Sequence, residues 1–135
     1  MKAQCQCGGL RADIAGGAQP LTIAFHCAQC QRRSGSPFGV LAYFLKELVQ
    51  IEGEAREFTR GSFVGTSVTN GFCPECGSTV YVLLEKNPMM TGIPVGAFAD
   101  SEFPTPAIAV WEQEKHHWVE LPDGIHRFVR GTDGK

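Results

Sequence analysis

Apolar and polar residues alternate in short runs along this chain, and Gly or Pro interrupts most of the runs. Leu10-Arg11-Ala12-Asp13-Ile14 is the first of them. Successive side chains of a strand point to opposite faces, so it reads as a strand with one wet face. Gly16-Gly17 and Pro20 end it, and Leu21–Phe25 is a second short strand that runs straight into His26-Cys27-Ala28-Gln29-Cys30. Residues 31–37 are polar and turn-rich, predicting one helical turn and then a loop. Residues 38–44 are apolar enough for a buried strand, and 48–52 and 55–60 alternate again around the break at Gly53. Ser67–Phe72 leads to a second cysteine pair, and Thr79–Leu84, rich in Val, Leu and Tyr, is the most strand-like segment. Strands are also predicted at 89–95 and 107–111, with Pro104 and Pro106 framing the loop between them.

These elements predict a mainly β protein, organised as one domain over residues 1–135. The 16 Gly and 8 Pro, spread along the chain, suit many short strands joined by turns. Lys plus Arg number 12 against 14 Asp plus Glu, so no basic excess supports nucleic-acid binding. Residues 1–7 are polar and unlike a signal peptide, and no apolar run is long enough to span a bilayer. A cytoplasmic location is therefore expected, where paired cysteines are more often metal ligands or redox groups than structural disulfides. Oligomeric state is left open.

The six cysteines fall as Cys5/Cys7, Cys27/Cys30 and Cys73/Cys76. Cys73-Pro74-Glu75-Cys76-Gly77 is a tight knuckle whose amides can point at sulfur, supplying two legs of a tetrahedral zinc site. Cys5 and Cys7, one residue apart and predicted on one face of an extended strand, are the candidates for the other two. Such a site contributes on the order of 10 kcal/mol to folding. The competing reading is four buried or disulfide-linked cysteines without metal. Cys27 and Cys30 are the candidate catalytic pair. They would hold a second, labile zinc with open positions, act as a redox dithiol, or simply be two reduced thiols in a loop. Beside them, Arg32 and Arg33 are candidates to hold a substrate carboxylate, because guanidinium pairs bidentately with carboxylates. The dull alternative is two solvated charges. His26, next to Cys27, is placed on the opposite face of extended backbone, with a hydrogen-bonding or core role. His116, His117 and His126 read as surface or packing residues, one of which could reach the Cys27 site, and Trp111, Trp118, Phe38 and Phe44 read as core.

Taken together, Cys5-x-Cys7-Gly8, His26-Cys27-x-x-Cys30-Gln31-Arg32-Arg33-Ser34-Gly35-Ser36-Pro37-Phe38 and Phe72-Cys73-x-x-Cys76-Gly77 resemble the glutathione-dependent formaldehyde-activating enzyme family, which includes the centromere protein V type. The resemblance runs from Cys5 to about Phe128. It implies a β-tent fold: small antiparallel sheets clamped by a structural zinc on Cys5, Cys7, Cys73 and Cys76. It also implies a carbon–sulfur lyase acting on a glutathione-type thiol adduct of the S-hydroxymethylglutathione kind. Cys27 and Cys30 then belong to a second zinc site, with His26, Arg32 and Arg33 near the substrate. That family's second site is held by a Cys-His-Cys-x-x-Cys segment, and here Phe25 stands in the first ligand position. An apolar ring coordinates no metal, so the site is one thiolate short. The alternative reading is a non-catalytic module on the same zinc-stabilised scaffold, binding a small thiol such as glutathione or a protein partner. A third is redox sensing through a Cys27–Cys30 disulfide.

Overall fold

The computed structural model describes residues 1–62 and 65–133. The strands are β1 (Lys2–Gln4), β2 (Arg11–Ile14), β3 (Leu21–Phe25), β4 (Gly39–Leu45), β5 (Val49–Glu52), β6 (Arg56–Gly61), β7 (Ser67–Phe72), β8 (Thr79–Leu84), β9 (Met90–Pro94), β10 (Ile108–Val110) and β11 (His126–Arg127), and all but β1 and β11 lie where the alternation predicts them. One helix, α1 (Ala28–Ser34), lies in the connection from β3 to β4. Gly35, at φ 69°, ends it by returning its N–H to the Gln31 carbonyl. Where one turn and a loop were expected, the helix takes in Cys30 as its buried residue. No helix of the described residues is long and apolar enough to cross a membrane.

The strands form two sheets. The smaller has the order β1-β2-β5 and the larger β11-β10-β3-β4-β9-β8-β7-β6. Pairing is antiparallel except at one edge, where β10 runs parallel to both β3 and β11. The alternation along β4 shows what each face of the larger sheet does. Ala42 and Phe44 point to one side and pack with Ala3, Leu10, Ala12 and Ile14 of the N-terminal segment and smaller sheet. Phe44, 1% exposed, meets Phe98 edge-on at 6.3 Å. Burying such a ring contributes about 1.5–3 kcal/mol. Leu41 and Tyr43 point to the other side, with Val68 of β7 and Val82 of β8, and form a separate apolar cluster. Register carries this second face across the sheet, since Tyr43 pairs with Gly92, Gly92 with Val82, and Val82 with Asn70.

Two close approaches lock the frame. A Cβ at Gly71 would lie 2.0 Å from Cζ of Tyr81, so only glycine lets the Tyr81 ring cross β7, beside the register shift at Gly71/Phe72. The Tyr81 hydroxyl then donates to Glu57 Oε2 at 2.7 Å. At Gly53, φ 98°, a Cβ would run into the Gly9 carbonyl, so glycine there lets the turn before β2 sit against the end of β5.

Candidate active site

Two turns bring the outer cysteine pairs together. Cys5 to Gly8 is a turn after β1 rather than the strand continuation expected, with the Gly8 N–H bonded to the Cys5 carbonyl at 3.1 Å. The Cys73–Gly77 knuckle between β7 and β8 closes through the Gly77 N–H to the Cys73 carbonyl at 2.9 Å. Gly8 and Gly77 have φ of 79° and 80°, which L side chains seldom adopt. The sulfurs of Cys5, Cys7, Cys73 and Cys76 all lie within 4.8 Å of one another, and Cys7 Sγ is 3.6 Å from both Cys5 Sγ and Cys73 Sγ. Four sulfurs at about 2.3 Å from a tetrahedral metal centre sit about 3.8 Å apart. The cluster thus fits a metal ion, with all four positions filled by protein.

Amides support the sulfurs as the knuckle predicts. The Leu10 N–H donates to Cys5 Sγ at 3.2 Å and the Glu75 N–H to Cys73 Sγ at 3.4 Å. The Ser78 hydroxyl and N–H hold the Cys76 thiol down to about 5. At Cys7 the Gly9 N–H acts in the same sense, but Cys73, Cys5 and Cys76 outweigh it and push that thiol up to about 12. Negative charge already crowded among four sulfurs resists further deprotonation, and a bound cation removes that resistance.

Cys27 and Cys30 lie apart from this cluster. Cys27 caps α1 and Cys30 is in its first turn, so both sulfurs face one side of the helix. Both are buried, at 8% and 6% exposure. α1 is fixed by the turn 112–114, since the Ala28 N–H donates to Glu114 Oε2 at 3.1 Å. Gln31 Nε2 adds bonds to the carbonyls of His26 at 2.8 Å and Glu114 at 3.2 Å. The Cys30 thiol hydrogen-bonds Cys27 and, against burial, brings it down to about 6, helped by the Cys30 N–H and the Arg60 charge. The proton is held on Cys30, which is raised by the same bond and by burial.

Both sulfurs line a cavity of about 320 Å³ on the second face of the larger sheet, with Phe25, Tyr43, Arg33 and Arg60 among its walls. Arg33 reaches it because Gly39 has no side chain: a Cβ there would lie 2.6 Å from the guanidinium. Arg33 also borders an open cavity of about 560 Å³ with Gln6, Ser34, Ser36 and Ser78 in its lining. Of the predicted arginine pair, Arg33 faces the site and Arg32 is exposed, lining neither cavity. His26 does not reach the thiols' cavity. It is fully buried with its ring 5.4 Å from Phe38, and burial lowers its pKa. His116, His117 and His126 are likewise absent from that lining. Trp118, expected in the core, is 61% exposed, while Trp111 lines the cavity. Sequence reading missed Arg60, which only strand register brings near Cys27.

Among the described residues, the four-cysteine cluster is the one set of three or more His, Cys, Asp or Glu donors close enough to hold an ion. Cys27 and Cys30 bring no third such donor, and Phe25 contributes a ring that meets Tyr43 edge-on at 6.4 Å. Among the described residues, that donor set does not fit a second metal.

A mainly β chain pinned by four thiols that can hold a metal, with a separate thiol pair facing a cavity, defines a class of metal-binding β protein. Within that class, the family model described as glutathione-dependent formaldehyde-activating enzyme matches residues 1–114, and the chain belongs to that family. The match takes in all six cysteines, Arg33 and Arg60. The crystal structure of a Rhodobacter sphaeroides protein, a structural genomics target, superposes with a TM-score of 0.54 at 18% identity, covering 95% of this chain and 99% of that one. That likeness is one of fold. None of the curated proteins matches the chain significantly.

Proposed function

We propose that this protein is a carbon–sulfur lyase that cleaves and forms the adduct of an aldehyde with a glutathione-type thiol, and that the working groups are Cys27, Cys30, Arg33 and Arg60. The observation that carries this reading is a buried thiol pair facing a cavity beside two guanidinium groups, in a chain of this family. In the cleavage direction the Cys27 thiolate takes the proton of the adduct's hydroxyl. The O–H electrons form the carbonyl bond, the carbon–sulfur bond breaks, and its electron pair leaves on the departing sulfur. Arg33 and Arg60 offset the negative charge there. Cys27 carries the proton until the departing thiolate or water takes it back, so protons and electrons balance. The hydroxyl-lined cavity on the other side of Arg33 offers Gln6, Ser34 and Ser36 to the peptide-like body of the thiol.

The ion at Cys5, Cys7, Cys73 and Cys76 is zinc in this reading, since four thiolates in a closed tetrahedral arrangement suit it best. Its role is structural. The test is release of formaldehyde from S-hydroxymethylglutathione by the metal-loaded protein. Cys27→Ser should lower the rate about 100-fold or more, the usual worth of a positioned general base. Unchanged turnover in Cys27→Ser would overturn the assignment. Phe25 favours a second reading, a thiol-binding module without turnover, because it takes a ligand from the family's second site. Saturable glutathione binding with no catalysis above background is the result that would establish it.

A further inference from the structure

The floor of the thiol cavity is a hydrocarbon surface. Ile23, Phe25, Leu41, Val68, Val82 and Leu84 line it, contributed by β3, β4, β7 and β8, and the register places them on the same face as Tyr43. The cationic groups are distributed unevenly. Arg33 and Arg60 lie within electrostatic reach of the two thiols, whereas Lys86 lines the cavity together with Leu84 and Met90. Formaldehyde has one carbon and leaves this floor wet. Ser62, Thr66, Asn70 and Asn87 also line the cavity, but a peptide-like body laid on this floor would bring amides and charges onto apolar side chains that cannot pair with them.

We propose that the cavity selects an aldehyde carrying an unbranched apolar tail of about six to ten carbons. The proposal rests on the lyase reading for the chemistry but not for the binding. The carbonyl oxygen faces Cys27, the sulfur of the thiol partner faces Arg33 and Arg60, and the tail lies along the sheet. A cavity of about 320 Å³ has room for about ten water-sized groups at about 30 Å³ each, which sets the length of the tail. Each methylene buried there is worth about fourfold in affinity.

Two measurements test this on the full, metal-loaded chain. The first follows alkylation of Cys27 by iodoacetamide in the presence of 1-octanol, an unreactive mimic of the tail, or of S-methylglutathione. Saturating octanol should slow alkylation at least tenfold, and any protection by S-methylglutathione should survive Leu84→Glu. Leu84→Glu should abolish the octanol effect, and if that variant does not fold, Met90→Glu replaces it. The second compares kcat/KM for formaldehyde, butanal, hexanal and octanal with glutathione held fixed. It should rise about threefold to fourfold per methylene and then level off. Turnover that falls or stays flat along the series, with no octanol protection, overturns the proposal and leaves the lyase reading intact. Octanol protection without turnover of any adduct refutes the lyase reading and supports the apolar ligand class.

Discussion

Loss of the metal at the four-cysteine cluster should unfold this protein, and the chain's own connectivity sets a lower limit on the cost. Cys7 and Cys73 are 66 residues apart in sequence, and their sulfurs are 3.6 Å apart in the fold. Tying the ends of a loop that long removes unfolded-state entropy worth about 4 kcal/mol at room temperature, by the relation used for covalent cross-links. Coordination itself contributes on the order of 10 kcal/mol. A domain of ordinary stability has about 5–15 kcal/mol in total. Either removing the ion with a strong chelator or replacing a ligand, as in Cys73→Ser, therefore takes away most of what holds the chain folded. At about 4 °C per kcal/mol for a domain near this size, the entropic part alone lowers Tm by about 15 °C. Thermal unfolding followed by circular dichroism, with metal content measured on the same samples, reads this directly. Cys27→Ala is the control. It sits outside the cluster and should cost about 1 kcal/mol, the ordinary size of a point-mutation effect. The reasoning fails if chelation or Cys73→Ser leaves Tm within a few degrees of the native value, or if Cys27→Ala lowers it as much as Cys73→Ser does.

Gly39→Ala should displace Arg33 from the cavity wall, because its Cβ would fall 2.6 Å from the guanidinium, while the backbone beside Cys30 has room at 3.6 Å. Lyase activity should fall about tenfold or more with little loss of Tm, and activity kept at the native level would show that Arg33 takes no part. Gly71→Ala should instead destabilise the fold by about 1–3 kcal/mol through overpacking against Tyr81, measured by denaturant unfolding. Cys27 titrates from thiol to thiolate near 6, so its alkylation rate should rise about tenfold per pH unit below that value and level off above it. In Cys30→Ala the midpoint should move up towards the ordinary thiol value of 9.0, since the Cys30 hydrogen bond is the largest cause of the depression. A midpoint that stays near 6 in Cys30→Ala would place the cause elsewhere.

Much of this architecture is legible because a strand with one buried face writes a period of two into the sequence. Ser67–Phe72 and Thr79–Leu84 form at the expected bounds for that reason. β1 and β11 escape such a reading. Lys2-Ala3-Gln4 buries a single small residue, Ala3, and His126-Arg127 has both side chains exposed, so neither carries a legible alternation and backbone pairing does most to make them strands. The cluster of Cys5, Cys7, Cys73 and Cys76 was legible from spacing, since two short pairs with following glycines have few other ways to satisfy a metal. Its local geometry was not, because a turn and a strand both bring residues one apart to a common side. Helix phase, invisible in a segment with one buried residue, decides that Arg33 and not Arg32 faces the thiols. Arg60 depends on the register of β6 against β7, where it pairs with Val68, and nothing local in the sequence encodes that.

The two kinds of cysteine pair sit in different local backbone, and that difference decides what each of them meets. Cys5/Cys7 and Cys73/Cys76 each occur in a turn closed by a left-handed glycine, so the sulfurs converge at a point where a second pair can meet them. Cys27 and Cys30 open a helix instead. Its axis turns them towards the open face of the sheet, where strand side chains and not another cysteine pair come opposite. The two sites are nevertheless joined through β7 and β8. Cys73 comes directly after the last residue of β7 and Cys76 lies just before β8, while Val68, Asn70, Val82 and Leu84 on those strands form the far wall of the thiol cavity. The register shift at Gly71/Phe72 and the Tyr81 ring over Gly71 lie between the knuckle and that wall. The position of the knuckle thus fixes where the wall stands. A metal at the cluster would therefore hold the strand ends that shape the thiol cavity.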